Sequence, residues 1–171
     1  RQTPSIPCGS LHVCRGRSSG PALTAARLPP MVALMKVHRH PVRVYYEDTD
    51  LAGIVYYANY LRFLERGRSE MVREAGISQL DMKARGFVFA VRRVEADYLR
   101  PAHFEDELII ETRASGLKGA SFDMPQRVLR GDEVLLEALV KVVVLNPEGR
   151  ATRLPADIRA KLGRITADDG V

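Results

Sequence analysis

Val42–Gly76 reads VRVYYEDTDLAGIVYYANYLRFLERGRSEMVREAG, and the change of period inside this stretch decides the fold. From Val42 to Glu47 the β-branched and aromatic residues favour a pleated strand. Asp48, Thr49, Asp50 and Gly53 then make a polar turn. From Ala58 to Ala75 the apolar positions Tyr60, Phe63, Leu64, Gly67, Met71 and Ala75 recur every three or four residues, which is one face of a helix. The other face carries Arg62, Glu65, Arg66, Arg68, Glu70, Arg73 and Glu74, and Gly76 stands where a left-handed C-terminal residue is wanted. A strand, a carboxylate-rich turn and a helix of about five turns follow one another.

Downstream, Ser78 is placed to cap a short helix reaching Arg85. Strands are predicted at Val88–Tyr98, Glu107–Ser115, Ser121–Arg130 and Val134–Leu145, with Gly-Leu-Lys-Gly and Arg-Gly-Asp-Glu as turn-like connections. Consecutive hairpins of this kind give a mainly antiparallel sheet. A terminal helix over Leu154–Leu162 can begin at Pro155. This order predicts an α+β domain in which one apolar helix buries itself against one curved antiparallel sheet. Such a sheet leaves an edge open, and pairing through that edge predicts a homodimer or homotetramer.

The 46% apolar content suffices for a single buried core in 171 residues. A formal charge of +5 raises nucleic acid as a partner, but the charge is unevenly placed. Residues 1–46 hold seven basic residues and no acid, which leaves 19 basic against 21 acidic residues for the remainder. The folded part is therefore near neutral, and no nucleic-acid role is expected. Residues 1–40 are rich in Arg, Ser, Pro and Gly without periodicity and are expected to form a disordered extension. Met31 and Met35 favour upstream sequence read from a start set too early, ahead of an organelle transit peptide or a tag. Cys8 and Cys14 lie in that extension without zinc-site spacing. The cysteine-free remainder agrees with a reducing cytoplasm, and no apolar run reaches the length of a transmembrane segment. The ordered domain is set at 41–165, with a C-terminal tail at 166–171.

The turn before the long helix has chemical potential. A helix start offers unpaired N–H groups and the positive end of a dipole, which can polarise a carbonyl and stabilise the oxyanion formed on attack. An aspartate from the preceding turn can attack that carbon or activate a water. Gly53 lets the backbone come close to a substrate. Taken alone, a D-x-D before a helix more often serves capping, turn formation or metal binding.

The run from Pro41 through Ser69 resembles the signature of the 4-hydroxybenzoyl-CoA thioesterase family, most closely its YbgC-type branch associated with the Tol-Pal envelope system. The match continues through Phe87-Val88 with Arg92-Arg93, the Tyr98–Ala102 turn, Asp106-Glu107-Leu108 and Val142–Pro147, covering roughly residues 41–160. The resemblance implies a hot-dog fold, in which the sheet wraps one long central helix, and hydrolysis of acyl-CoA thioesters. CoA is then part of the substrate, no separate cofactor is required, and acyl-carrier protein is a further partner to consider. The second aspartate of the family's Asp-x-Asp-x-x-Gly-x-Val motif falls on Asp50 as the catalytic carboxylate. The family's polarising backbone amide falls on Tyr57, where many YbgC-type members carry histidine; a backbone donor survives that change.

A different class of function is a low-turnover module that binds acyl-CoA or acyl-carrier protein and links envelope and lipid metabolism, but such a binder needs no carboxylate beside a thioester. A hot-dog dehydratase would want a histidine in the turn or helix start, and none is there. Glu47 and Asp48 are read as turn or capping residues. Glu65 and Glu70 are read as helix charges, although another hot-dog branch carries its catalytic acid on the helix. His103 is read as a surface turn residue, and Asn59 and Tyr60 as helix-start packing. Arg92, Arg93, Lys118, Arg127 and Arg130 are given no role.

Overall fold

The computed structural model describes residues 37–166, and the long helix at its centre, α1 (Asn59–Glu74), shows why the chain folds as it does. Its buried side is Asn59, Tyr60, Phe63, Leu64, Gly67, Met71 and Val72, the three-to-four-residue stripe that the sequence predicts. Gly76, at φ +71°, ends it. The Gly76 N–H donates to the Arg73 carbonyl at 2.9 Å and the Ile77 N–H to the Val72 carbonyl at 3.1 Å, so two last-turn carbonyls are satisfied and Ile77 is tucked into the core. Helix α2 (Gln79–Ala84) follows at once, and the Ser78 hydroxyl accepts the Asp81 N–H at 3.1 Å as a cap.

The strands are β1 (His38–Arg43), β2 (Val88–Tyr98), β3 (Glu107–Thr112), β4 (Ser115–Lys118), β5 (Ser121–Arg130) and β6 (Glu133–Leu145). They form one sheet in the order β1-β3-β5-β6-β2, with β4 paired to β5, and every pairing is antiparallel. α1 lies against β1, β3 and β5, and α3 (Ala156–Thr166) closes the far end of the core through Ile158 and Leu162. This sheet wrapped around one helix is the hot-dog fold. On β5 the buried residues Phe122, Met124, Gln126 and Val128 alternate with partly exposed ones, as a sheet with one covered face requires.

Three expectations need correction. The first strand runs over His38–Arg43 and not Val42–Glu47, so the sheet starts ahead of residue 41. Tyr45 and Tyr46 have strand propensity, but the Asp48 carboxylate accepts the Tyr45 N–H at 2.9 Å and the Asp48 N–H returns to the Tyr45 carbonyl at 3.0 Å. That local bonding turns the chain into a 3-10 turn over Tyr46–Asp48 and outweighs propensity. Secondly, β3 stops at Thr112, and Ser115–Lys118, taken as the end of one strand and a plain connection, forms the short irregular β4. β2 pairs with β6 at one edge of the sheet, and β3 sits beside β1 at the other. The segment Leu99–Asp106 therefore crosses the end of the sheet, and this crossing builds the site below. Lastly, α3 begins at Ala156 and runs on to Thr166. The expectations for the extension as far as residue 36, its cysteines included, and for residues 167–171 lie outside the described residues.

Candidate active site

The turn that carries Asp50 is fixed by short-range bonds. The Asp50 N–H donates to the Ile54 carbonyl and the Gly53 N–H to the Asp50 carbonyl, each at 3.0 Å. The Asp50 Oδ1 accepts the Ala52 N–H at 2.9 Å, which orients the carboxylate and leaves its second oxygen without a partner among the described residues. Gly53 sits at φ +74°, a conformation that L side chains rarely adopt, so the tight turn depends on it. Asp50 and Leu51 stand in solvent at the tip.

Two supports hold this turn against the start of α1. From within, Asp48 is buried and acts as a structural knot: its carbonyl accepts the Tyr56 N–H at 2.9 Å and the Asn59 Nδ2 at 3.0 Å. Asp48 and Asn59 are thus turn and packing groups, as the sequence indicates. From outside, the crossing segment braces it, with the Val55 N–H donating to the Ala102 carbonyl at 2.8 Å and Ile54 bridged to His103. The Ala102 N–H in turn donates to the Tyr60 hydroxyl at 2.9 Å, joining the brace to the first turn of α1. His103 is half-exposed and its own N–H donates to the Asp106 carboxylate at 2.8 Å. Arg130 bonds the same carboxylate at 2.7 Å; burial, the largest single effect, raises the Asp106 pKa, but the His103 amide and Arg130 together outweigh it and hold Asp106 below the ordinary carboxylate range.

At the helix start, the Tyr57 and Ala58 N–H groups donate to no acceptor among the described residues. They stand at the N-terminal end of α1, Ala58 as its N-cap and Tyr57 just before it, beside the positive end of the helix dipole. The Tyr57 side chain is exposed and tilts over Tyr56, ring centroids 4.6 Å apart. The Tyr56 phenol is held above its ordinary pKa first by the Tyr57 side chain, then by partial burial, and also by the negative charge of Asp50. Asp50 is therefore within electrostatic reach of Tyr56, just ahead of α1. The site combines an anionic side chain, a patch of unpaired amides and an aromatic rim that includes Tyr98.

Residues 44–162 match the model of the thioesterase-like superfamily. The chain belongs to the thioesterase-like superfamily. Over 125 residues it is 42% identical to the acyl-CoA thioester hydrolase YbgC of Escherichia coli O6:H1, spanning 72% of this chain and 93% of that relative. The acyl-CoA thioesterase YbgC of Haemophilus influenzae is 38% identical over 122 residues, 70% of this chain and 90% of the relative. A probable thioesterase from Bartonella henselae of known structure shares 43% identity, with a TM-score of 0.66 over 70% of this chain and 99% of that one. Within the superfamily the chain thus falls in the YbgC-type branch.

As a superfamily member, the chain shows features that motif spacing did not reveal. Ala102 and the crossing segment hold the Asp50 turn through backbone bonds, which leave no residue-type signature. Tyr98 reaches the helix start from β2; the Tyr98–Ala102 run belongs to the family resemblance, and that was the one available signal. Glu65 lines an open groove of about 530 Å³ between α1 and β2, along with Leu61, Arg62, Arg66, Val91 and Val94. It accepts the Ser69 hydroxyl at 2.6 Å, the behaviour of a helix charge. Among the described residues, no group of three or more His, Cys, Asp or Glu side chains gathers where a metal ion could be held, and no helix is long and apolar enough to cross a membrane.

Proposed function

We propose that the protein hydrolyses acyl-CoA thioesters to a free carboxylic acid and CoA, with Asp50 as the catalytic carboxylate and the Tyr57 backbone N–H as the oxyanion donor. Superfamily membership makes the chain a thioester hydrolase. The acyl-CoA substrate follows from the relatives named above. The observation that carries the residue assignment is the tethering of the Asp50 turn to unpaired helix-start amides through Asp48, Asn59 and Ala102.

A thioester carbonyl seated against the Tyr57 amide gains a hydrogen bond that strengthens as its oxygen becomes anionic, and the helix dipole adds to it. Asp50 then serves in one of two ways. As a general base it takes a proton from water while the hydroxide oxygen bonds to the acyl carbon; the tetrahedral centre collapses, the C–S bond breaks, and CoA thiolate leaves to be protonated. As a nucleophile it displaces the thiolate directly, and water cleaves the resulting mixed anhydride. Both routes yield one acid and one CoA per water consumed, and both require the same carboxylate. CoA enters only as part of the substrate.

The proposal includes a homodimer formed through β2. This strand is 11 residues long and lies at a sheet edge, and it exposes Val88 together with Val91 and Val94, which line the α1 groove. A long edge with unpaired backbone groups and exposed valines calls for a partner strand, and a second copy supplies one of matching length. A cytoplasmic site of action fits a CoA-linked substrate.

The test is thiol release from a panel of acyl-CoA substrates by the purified protein, with sedimentation equilibrium on the same preparation. Saturable release of one CoA per acid, by a species of at least twice the chain mass, is expected. Absence of turnover across the panel contradicts the activity, and an active monomer contradicts the dimer.

A further inference from the structure

We infer that the Tyr98 hydroxyl is a positioning group that locks the peptide at the start of α1, so that the Tyr57 amide keeps its aim at the reacting carbonyl. The inference rests on the reading of Asp50 and Tyr57 given above and adds a residue that the reading does not include. Tyr98 is the last residue of β2, on the sheet, whereas Tyr57 lies just before the N-cap of α1; they are 41 positions apart in sequence. The Tyr98 hydroxyl nevertheless donates to the Tyr57 carbonyl at 3.0 Å.

The ring is set for this contact from two sides. It meets Tyr57 edge-on at a centroid separation of 6.5 Å and the buried Tyr60 edge-on at 5.7 Å. Its backbone is paired with Leu136 of β6, in the middle of the buried core. Partial burial and the neighbouring Tyr57 push the Tyr98 phenol above its ordinary pKa, so the hydroxyl keeps its proton and remains a donor.

The consequence follows from peptide geometry. The Tyr57 carbonyl belongs to the planar peptide that carries the Ala58 N–H, and the Tyr57 N–H lies in the peptide just before it, so a bond that pins this carbonyl fixes one flank of Tyr57 and narrows the torsions that set the direction of its N–H. A helix start has no preceding turn to do this, and Ala58 supplies no side-chain cap. The strut from β2 takes that place. Tyr98 touches neither the reacting atoms nor CoA in this scheme, so its loss acts on the alignment of a donor whose bond tightens in the transition state. Such a loss lowers kcat and leaves ground-state binding unchanged.

Tyr98→Phe removes the hydroxyl and keeps the ring contacts. The expected result is a kcat lower by about 10-fold, a fraction of the loss on removing an oxyanion donor outright, with KM within about twofold and an unchanged far-UV spectrum. A purely structural role would instead lower the amount of folded enzyme and leave the kcat of the folded fraction intact, so kcat is taken per active site titrated. Full kcat in folded Tyr98→Phe overturns the inference, as does a rise in KM at constant kcat, which would assign the hydroxyl to substrate binding. Asp50→Asn, measured in parallel, separates the two readings. If Asp50→Asn loses activity and Tyr98→Phe does not, only the strut is wrong; if Asp50→Asn keeps its activity, the underlying reading of the site is wrong.

Discussion

Asp50→Asn lowers kcat by about 10²-fold or more, the usual loss on removing a general base or nucleophile, while the turn stays folded. The substitution suits this site because the proposed function gives Asp50 two separable duties. One carboxylate oxygen accepts the Ala52 N–H and shapes the turn, and the carbonyl oxygen of asparagine can keep that bond. The negative charge is the other duty, and only that is lost. Asp50→Ala removes both, so any activity difference between the two variants reports the turn bond and not the chemistry. A second sign of the same change appears in ultraviolet titration: with the charge at residue 50 gone, one of the effects that raise the Tyr56 phenol disappears and its pKa moves down. Turnover by Asp50→Asn close to that of the wild type would reject the assignment.

The largest expected loss of stability comes from Gly67→Val. Gly67 lies mid-helix on the buried face of α1, where the helix crosses β3 with no room to spare. A Cβ there would stand 2.6 Å from the Ile110 Cγ2 and 3.1 Å from the Thr112 Oγ1. Relieving that clash means lifting α1 off the sheet, and a buried polar clamp is anchored beside it. The Gln126 Nε2 donates to the Leu64 carbonyl and to the Thr112 hydroxyl, both at 2.9 Å, and its Oε1 accepts from Arg68 at 2.8 Å. Burial holds the Arg68 guanidinium below its ordinary pKa, opposed by the nearby Glu65, so displacing its amide partner carries an extra cost. We expect Gly67→Val to destabilise by about 3 kcal/mol or more, and Gly67→Ala by about 1 kcal/mol, the overpacking penalty exceeding the gain in helix propensity. Denaturant unfolding measures both. Stabilisation by Gly67→Ala, the outcome at an open helical position, would show that this close approach is absent.

Gly67 also shows how the sequence can be read and where reading stops. Its place in the apolar stripe with Phe63, Leu64 and Met71 was legible from period alone, and so was the helix stop at Gly76, because both depend on local geometry. The limits of β2 and β5 were legible for the same reason, their apolar residues being bounded by turn residues. Tyr45 and Tyr46 misled because strand propensity is a weak preference, and a single carboxylate three residues on reverses it. The path of the β2–β3 connection was not legible because sequence shows neighbours along the chain, whereas Leu99–Asp106 spans the sheet from one edge towards the other. In the site, Asp50 and Tyr57 could be named by motif, whereas Tyr98 could not be given a role. Its contact depends on β2 lying beyond β6 and returning to the helix start, which is a matter of topology.

The central claim is that a thioester carbonyl sits between the residue 50 side chain and the Tyr57 amide. It is tested most directly by a crystal structure of Asp50→Asn soaked with an acyl-CoA thioester, which that variant should turn over slowly enough to trap. The account predicts the carbonyl oxygen about 3 Å from the Tyr57 N–H and the residue 50 side chain about 3–3.5 Å from the acyl carbon, on the opposite face of the thioester. A thioester bound with its carbonyl remote from the first turn of α1, or with residue 50 facing away from it, would contradict the account.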